Sequence, residues 1–219
     1  MTKNNMGALA IVEDERIRLE KAIEKMLLRI REVRIADKTQ LPLGWRKSAK
    51  GRTVWRIIEE VISQNLEIHA QAIGLRSVSA ATSEVGVYDF CVDVGTGNKS
   101  FVNIKSAVSG ARNSKDDVSK ADKLLTHFKD YPDSTLYIAT FHLRFTDSPG
   151  VQIEKCTVIP VSWIPDIYVN PSNNGNLQSS NTKNLKQAVP RTNEEFIELL
   201  RLEMEVAAQK RARKLSLMK

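Results

Sequence analysis

Two acids, an amide and a lysine alternate with apolar residues in the middle of the chain. From residue 87 to residue 105 the apolar positions recur with a period of two, and Gly95-Thr96-Gly97-Asn98 divides the segment, which predicts a β-hairpin. Alternate side chains of a strand share a face. Asp89 and Asp93 would therefore project with Asn103 and Lys105 if both apolar faces meet the same core. The hairpin would then present oxygen ligands beside a cation.

Oxygen ligands beside a cation suit the metal-dependent hydrolysis of a phosphodiester. A divalent metal ion polarises the phosphate and lowers the pKa of a bound water, and a nearby cation stabilises the charge that develops. In this interpretation Asp89 is the main metal ligand, Lys105 is the partner of the phosphate and the nucleophile, and a glutamate from a neighbouring helix is a second carboxylate ligand. An amphipathic hairpin with a wet face and an Asp–Lys cross-strand pair is the alternative interpretation.

These residues resemble the motif of the PD-(D/E)xK nucleases, which places an acid on one strand and acid-x-lysine on the next. Tyr88-Asp89-Phe90 corresponds to the first part and Asn103-Ile104-Lys105 to the second. The resemblance covers residues 51–141 and implies the core order α-β-β-β-α-β. It implies an α/β fold with a restriction-endonuclease-like mixed β-sheet flanked by helices. It also implies Mg²⁺, with Mn²⁺ as an alternative, held by Asp89, Glu59 and the backbone carbonyl of Ile104.

Two positions depart from the motif of that family. Tyr88 stands where the family has proline, and Asn103 stands where it has the second acid, so the site lacks one negative charge. Glu59 is the preferred replacement, because Ile62 and Leu66 can anchor its helix beneath it. The alternative acids are Glu60, Glu84 and Asp93. A site that binds metal weakly or not at all is the other outcome of the missing charge.

Apolar residues at helical spacing predict long helices around the hairpin. Their ranges are residues 11–37, residues 53–66 and residues 193–218. Thr53 is the expected N-cap of the second helix, and Thr192 or Asn193 that of the third. The first helix and the third are expected as additions to the nuclease core.

Shorter elements are predicted between the hairpin and the C-terminal helix. Ser114 with Asp117 resembles a capping box and predicts a helix that continues to Phe128. Apolar runs at residues 136–141 and 156–161 have the length and the β-branched content of core strands. The element order of the motif would then be complete.

Composition favours a polyanionic partner. The chain has 33 Lys and Arg against 26 Asp and Glu, a formal net charge of +7.

Its 219 residues predict a single domain, residues 1–219, with a core at about residues 51–165. Cys91 and Cys156 have the spacing of neither a zinc site nor a disulfide framework. No run approaches the roughly 20 apolar residues of a membrane span and the start lacks a signal-peptide core, so we expect a cytoplasmic protein without a membrane partner.

Cations and small hydroxyl residues near the motif are the predicted contacts to DNA. They are Arg46, Lys47, Lys50, Arg52, Ser106, Ser109, Arg112 and Lys183. Residues 170–190 are rich in Asn, Ser, Gly and Gln and are expected to form a loop too polar to bury. Base contacts are expected from residues 170–186 and residues 45–50, because amides and cations read base edges.

The sequence therefore predicts a type II restriction enzyme that cleaves double-stranded DNA in a sequence-specific, Mg²⁺-dependent reaction. Restriction follows from the family resemblance, the size and the lack of a helicase or ATPase motif. A homodimer is expected, because such enzymes cut two-fold symmetric sites. The alternatives are a repair or junction nuclease, a non-catalytic DNA-binding protein with a degenerate nuclease core, and a helical scaffold protein with a basic tail.

Overall fold

Four helices and nine strands make up the described part of this computed structural model, which comprises residues 3–46, 50–82, 86–111, 115–172 and 175–217. The helices are α1 (Lys3–Leu27), α2 (Lys50–Ile73), α3 (Ala121–Asp130) and α4 (Asn193–Ser216). The strands are β1 (Glu32–Arg34), β2 (Ser77–Ala80), β3 (Phe90–Asp93), β4 (Ser100–Val108), β5 (Asp116–Lys120), β6 (Thr135–Phe145), β7 (Gly150–Pro160), β8 (Tyr168–Val169) and β9 (Asn176–Ser179). Short 3₁₀ turns occur at Val161–Trp163 and Leu185–Gln187.

The predicted hairpin lies inside a six-stranded sheet of order β1-β7-β6-β4-β3-β2. Its strands β3 and β4 are antiparallel, with Phe90 opposite Val102. β4 runs parallel to β6, and the other neighbouring pairs of this sheet are antiparallel. Strands β5, β9 and β8 form a second, smaller sheet. The predicted α/β class, a mixed sheet flanked by helices with added N- and C-terminal helices, is confirmed.

Each face of the large sheet contributes to a hydrophobic core. On one face, Ile58 and Ile62 of α2 share a core with Val102 and Ile104 of β4, and α1 packs against the same core. The opposite face, which includes Phe101, packs against α3 and α4. The predicted alternation of side chains in the hairpin is therefore correct, whereas the wet face of the alternative interpretation is wrong, since Phe101 and Asn103 are both buried.

Several predicted boundaries are wrong. The N-terminal helix begins at Lys3 and ends at Leu27, and residues assigned to its end form β1, because an edge position beside β7 is available there. Helix α2 begins at Lys50, before the predicted cap Thr53. The helix predicted from Ser114 begins at Ala121, because Asp116–Lys120 pair with β9 instead. Thr192 caps α4 with the full capping box that involves Glu195.

The polar segment at residues 170–190 is not a loop throughout. Its described residues include β9, in which Leu177 and Ser179 are fully buried. Burial is tolerated because the polar groups are paired: the Ser179 hydroxyl donates to Asp166, and the Ser180 N–H donates to the other oxygen of that carboxylate at 2.8 Å. Among the residues that the structure describes, no helix is long and apolar enough to cross a membrane.

Candidate active site

A cavity of about 450 Å³ opens where the β3 strand stops pairing with β4. The ladder ends at Phe90 opposite Val102, so the second half of β4 has a free edge between α2 and the small sheet. The cavity is lined by Trp55, Arg56, Ile58, Glu59, Ile62, Asp89, Asn103, Ile104, Lys105, Ser106, Lys115, Asp116, Asp117, Phe141 and Gln178. The four residues predicted to be catalytic, Glu59, Asp89, Asn103 and Lys105, therefore lie around one space.

Two hydrogen bonds to the backbone of β4 fix Asp89 directly before β3. Its N–H donates to the Val102 carbonyl at 2.8 Å, and its Oδ2 accepts the Ile104 N–H at 2.5 Å. Burial raises the pKa of Asp89, and the Ile104 N–H and the Lys105 ammonium act against that effect. The carboxylate therefore has a fixed direction, and one of its oxygens is already satisfied.

Glu59 reaches the cavity from α2, whose buried residues Ile58, Ile62 and Leu66 fix the rotation of the helix. Only 17% of its side chain is exposed, and Arg56 lies 3.6 Å away. Burial, followed by the negative charge of Asp89, raises the pKa of Glu59 to about 7, although the cations Arg56 and Lys105 oppose this. Glu59 is therefore close to half-protonated at neutral pH.

Asn103 presents an unsatisfied oxygen to the same space. Its Nδ2 donates to the Val87 carbonyl at 2.9 Å, which fixes the side-chain orientation. Its Oδ1 is buried and has no hydrogen-bond partner in the part of the chain that the structure describes. A buried acceptor without a partner is costly, and such an atom in a polar cavity is available to a ligand.

Lys105 is a partly buried cation of the cavity, which Arg56 and Lys115 also line. Burial lowers the pKa of its ammonium, and the carboxylates of Asp89, Glu59, Asp116 and Asp117 counteract this in that order. Burial therefore favours the neutral amine of Lys105, and the nearby carboxylates favour the charged ammonium. A new charge in the cavity would shift this balance.

The oxygen donors of the cavity fit a small divalent cation. Asp89 and Glu59 supply carboxylates, and the unpaired Oδ1 of Asn103 supplies a neutral oxygen, all hard ligands of the kind that Mg²⁺ prefers. Ile104 directs its N–H to Asp89, and the N–H and C=O of one strand residue point to the same side, so its carbonyl faces the same edge. Within the described ranges, no group of three or more His, Cys, Asp or Glu residues is arranged to hold a metal.

The alternative acids lie elsewhere. Glu60 is exposed, accepts a hydrogen bond from Gln64 at 2.7 Å and lines a neighbouring hollow, which Glu59 and Asp89 also border. Asp93 is at the far end of β3, where its carboxylate accepts the Gly95 N–H at 2.7 Å. Asp93 therefore does not project with Asp89 into the cavity. Glu84 lies outside the described residues.

The predicted DNA contacts are scattered relative to the cavity. Ser106 lines it, and Lys183 approaches it through an ion pair with Asp116 at 3.4 Å. Ser109 donates to Glu154 at 2.5 Å, farther along the same sheet, and Arg46 is exposed. Lys47 and Arg112, as well as the side chains of Lys50 and Arg52, lie outside the described part of the chain.

Sequence reasoning missed one wall of the cavity. Asp116 and Asp117 on β5 and Gln178 on β9 lie opposite the motif, and Gln178 donates to Asp117 at 2.7 Å. The signal for β5 was weak, because Val118 is its only large apolar residue. Arg56 was also missed, although it stacks on Trp55 with its guanidinium 4.1 Å from the ring centroid.

Comparisons with known proteins give structural neighbours only. The NlaIV restriction endonuclease has 14% sequence identity and a TM-score of 0.41, over 59% of this chain and 53% of that chain. The Archaeoglobus fulgidus Holliday junction resolvase Hjc has 11% identity and a TM-score of 0.35, over 62% of this chain and 97% of that chain. The match thus spans about half of the restriction enzyme. No protein-family model and no curated protein matches this sequence. Both TM-scores are below 0.5, so neither neighbour identifies the function of this chain.

Proposed function

We propose that this chain is a metal-dependent nuclease that hydrolyses the phosphodiester backbone of DNA. The observation that carries the proposal is the convergence, in one cavity, of the carboxylates of Asp89 and Glu59, a buried amide oxygen that has no partner among the described residues, and a partly buried lysine. Hydrolysis of a phosphodiester requires hard oxygen ligands for a metal and a cation for the developing charge. The formal net charge of +7 supports a polyanionic substrate.

Each residue of the site has a distinct role in this proposal. Asp89, Glu59, the Oδ1 of Asn103 and the carbonyl of Ile104 would hold the metal, which would supply polarisation of the phosphate and a water of lowered pKa. Lys105 orients the attacking water and stabilises the negative charge on the phosphate. Asp89 cannot turn away, because the Ile104 N–H holds one of its oxygens. The burial of Lys105 limits competition from solvent for its ammonium group.

Sequence-specific cleavage of the type II kind is the finer form of the proposal. Gln178 of β9 lines the cavity, so the segment that contains residues 170–186 borders the site and is suited to read bases next to the cut. A single nuclease domain would contain both the chemistry and the recognition.

We further propose a two-fold homodimer that pairs α4 with its copy in antiparallel orientation. Three exposed apolar side chains form one stripe of this helix: Leu199, Leu202 and Val206. The first half of α4 carries Glu194, Glu195, Glu198 and Glu203 with one cation, Arg201, whereas the second half carries Lys210, Arg211, Arg213 and Lys214 with one acid, Glu205. Antiparallel pairing would place the acidic half of each helix against the basic half of the other.

The test is cleavage of unmethylated plasmid DNA by the purified protein, with Mg²⁺ and with EDTA. We expect discrete Mg²⁺-dependent fragments, whose ends identify the target sequence. Lys105→Ala and Asp89→Ala should each lower the cleavage rate by at least about 10²–10³-fold, the effect of removing one group that stabilises a transition state. Lys99→Ala is the matched control, since Lys99 is an exposed lysine in the turn of the same hairpin.

Two other outcomes would favour the alternative functions. Intact plasmid together with salt-sensitive binding would indicate a DNA-binding protein with a disabled nuclease core, an outcome consistent with the neutral side chain of Asn103. Cleavage of branched DNA but not of plasmid would indicate a junction nuclease. Binding that is absent or insensitive to salt would reject a nucleic-acid function altogether.

A further inference from the structure

A row of polar side chains continues from the cavity across the large sheet. Lys105 of β4 lies beside Thr140 of β6, which lies beside Thr157 of β7. One step farther along the same face, His142 of β6 lies beside Lys155 of β7. The apolar neighbours of these residues face the opposite core, which contains Phe141, Leu143, Cys156 and Val158.

The same face carries four basic side chains, which we call the basic shelf: His142, Arg144, Lys155 and Lys183. Lys183 connects it to the cavity, because Thr182 accepts a hydrogen bond from Thr140 at 3.1 Å and Lys183 itself pairs with Asp116. None of the three strands of the small sheet pairs with a strand of the large sheet, and β9 ends at Ser179, before Lys183. Arg144 has 57% of its side chain exposed.

The shelf has more positive than negative charge. Two acids face it: Glu154, which is engaged by Arg144 at 2.9 Å and by the Ser109 hydroxyl at 2.5 Å, and Asp116, which pairs with Lys183 at 3.4 Å. Lys155 makes no ion pair with the residues that the structure describes. After burial, the proximity of Lys155 and Lys183 is the next cause that lowers the pKa of His142, with Glu154 acting the other way. The basic groups are therefore close enough to repel one another, and a polyanion would relieve that repulsion.

We infer that the basic shelf binds the backbone of the DNA strand that enters the cavity, with its phosphates contacting Lys183, Lys155 and Arg144. The inference rests on the proposed nuclease function and adds the path of the substrate. From Lys105 of β4, in the cavity, to Lys155 of β7, on the shelf, the path crosses two inter-strand spacings, about 10 Å. A strand of B-form DNA rises about 3.4 Å per nucleotide, so this width corresponds to about three nucleotides.

The test measures binding of a duplex by fluorescence anisotropy in EDTA, where no hydrolysis occurs, at a series of salt concentrations. The variant is Arg144→Gln with Lys155→Gln, two exposed side chains whose loss leaves the core untouched. Each phosphate contact contributes about −0.9 to the slope of log K against log salt. We expect the slope to become shallower by about 1.8 and the affinity at about 0.15 M salt to fall by about thirtyfold.

The matched control is Lys21→Gln with Arg29→Gln, which removes the same charge from exposed positions on the α1 side of the sheet. We expect a slope within error of the wild-type value for this control. If both double variants change the slope equally, only net charge matters and the shelf is rejected. In that case cleavage of plasmid by the wild type would leave the nuclease proposal standing. A wild-type protein that neither binds nor cleaves DNA would reject both.

Discussion

Glu59 should make the metal-free protein less stable as the pH rises. Its pKa is about 7 in the folded protein against an ordinary value of 4.5, so between these pH values the folded state binds more protons than the unfolded state. Stability must then fall as the pH rises through this window. A pKa difference of this size corresponds to about 3 kcal/mol, and we expect about 2 kcal/mol because part of the side chain remains in water.

Glu59→Gln removes this ionisation and nearly keeps the shape of the side chain. In EDTA we expect the variant and the wild type to unfold at similar urea concentrations at pH 4.5, where both side chains are uncharged in the folded state. At pH 8.5 the variant should be more stable by about 2 kcal/mol. The measurement is urea unfolding followed by circular dichroism at several pH values. Glu60→Gln is the control, because Glu60 is exposed on the same helix and lies outside the cavity.

At pH 8.5, Mg²⁺ should make the wild type more stable than Glu59→Gln, the reverse of the order expected in EDTA. Mg²⁺ stabilises whichever protein binds it in the folded state, by an amount that grows with its concentration relative to the dissociation constant. We expect Mg²⁺ to raise the midpoint of the wild type at pH 8.5 and to raise that of Glu59→Gln much less. The reasoning is refuted if Glu59→Gln destabilises the metal-free protein at pH 8.5, or if Mg²⁺ stabilises both proteins equally.

Three further predictions concern single sites. Asn103→Asp should destabilise the metal-free protein by about 3 kcal/mol, because it removes the hydrogen-bond donor to the Val87 carbonyl and adds a buried charge. In thermal unfolding, Mg²⁺ should raise the midpoint of this variant more than that of the wild type. Leu202→Glu should give a monomer in analytical ultracentrifugation, whereas Leu215→Glu, off the apolar stripe, should not; a dimer in both variants would reject the α4 interface. The pKa of His127 is lowered by burial to about 4, so stability is lost as the pH falls from about 6.5 towards 4, and His127→Phe should be more stable by about 2 kcal/mol at pH 5 in urea unfolding. Equal loss of stability in both proteins at pH 5 would contradict this explanation.

Elements fixed by local patterns could be predicted from the sequence. The β3–β4 hairpin follows from alternation and a glycine-containing turn, and the start of α4 follows from Thr192 and Glu195, which satisfy each other within one helical turn. The motif residues could therefore be placed on the correct strands. The approach of Asp89 to Asn103 and Lys105 also followed, because the register of a hairpin decides which side chains are neighbours, whereas the prediction that Asp93 joins them was wrong.

Elements fixed by distant partners could not be predicted. β5 and β9 are short and polar, and β5 is a strand because it pairs with β9 across 55 intervening residues, whereas β9 pairs with both β5 and β8. The sequence therefore did not predict that Asp117 and Gln178 line the cavity. β5 has a single large apolar residue, Val118, so its sequence shows no alternation of apolar and polar positions. Such a strand depends on tertiary pairing that a single sequence does not reveal.

An amide at Asn103, in place of a further carboxylate, is consistent with the electrostatics of this cavity. Burial raises the pKa values of Asp89 and Glu59, and each additional buried carboxylate would raise them further. An amide supplies the same oxygen without the charge, and its NH₂ group is anchored on Val87. The cost is a weaker attraction for a divalent cation, because ligand charge contributes to affinity. A site of this composition should need more Mg²⁺ than its Asn103→Asp variant, but it should remain folded without any. Half-saturation of cleavage at a lower Mg²⁺ concentration in the wild type than in the variant would contradict this account of Asn103.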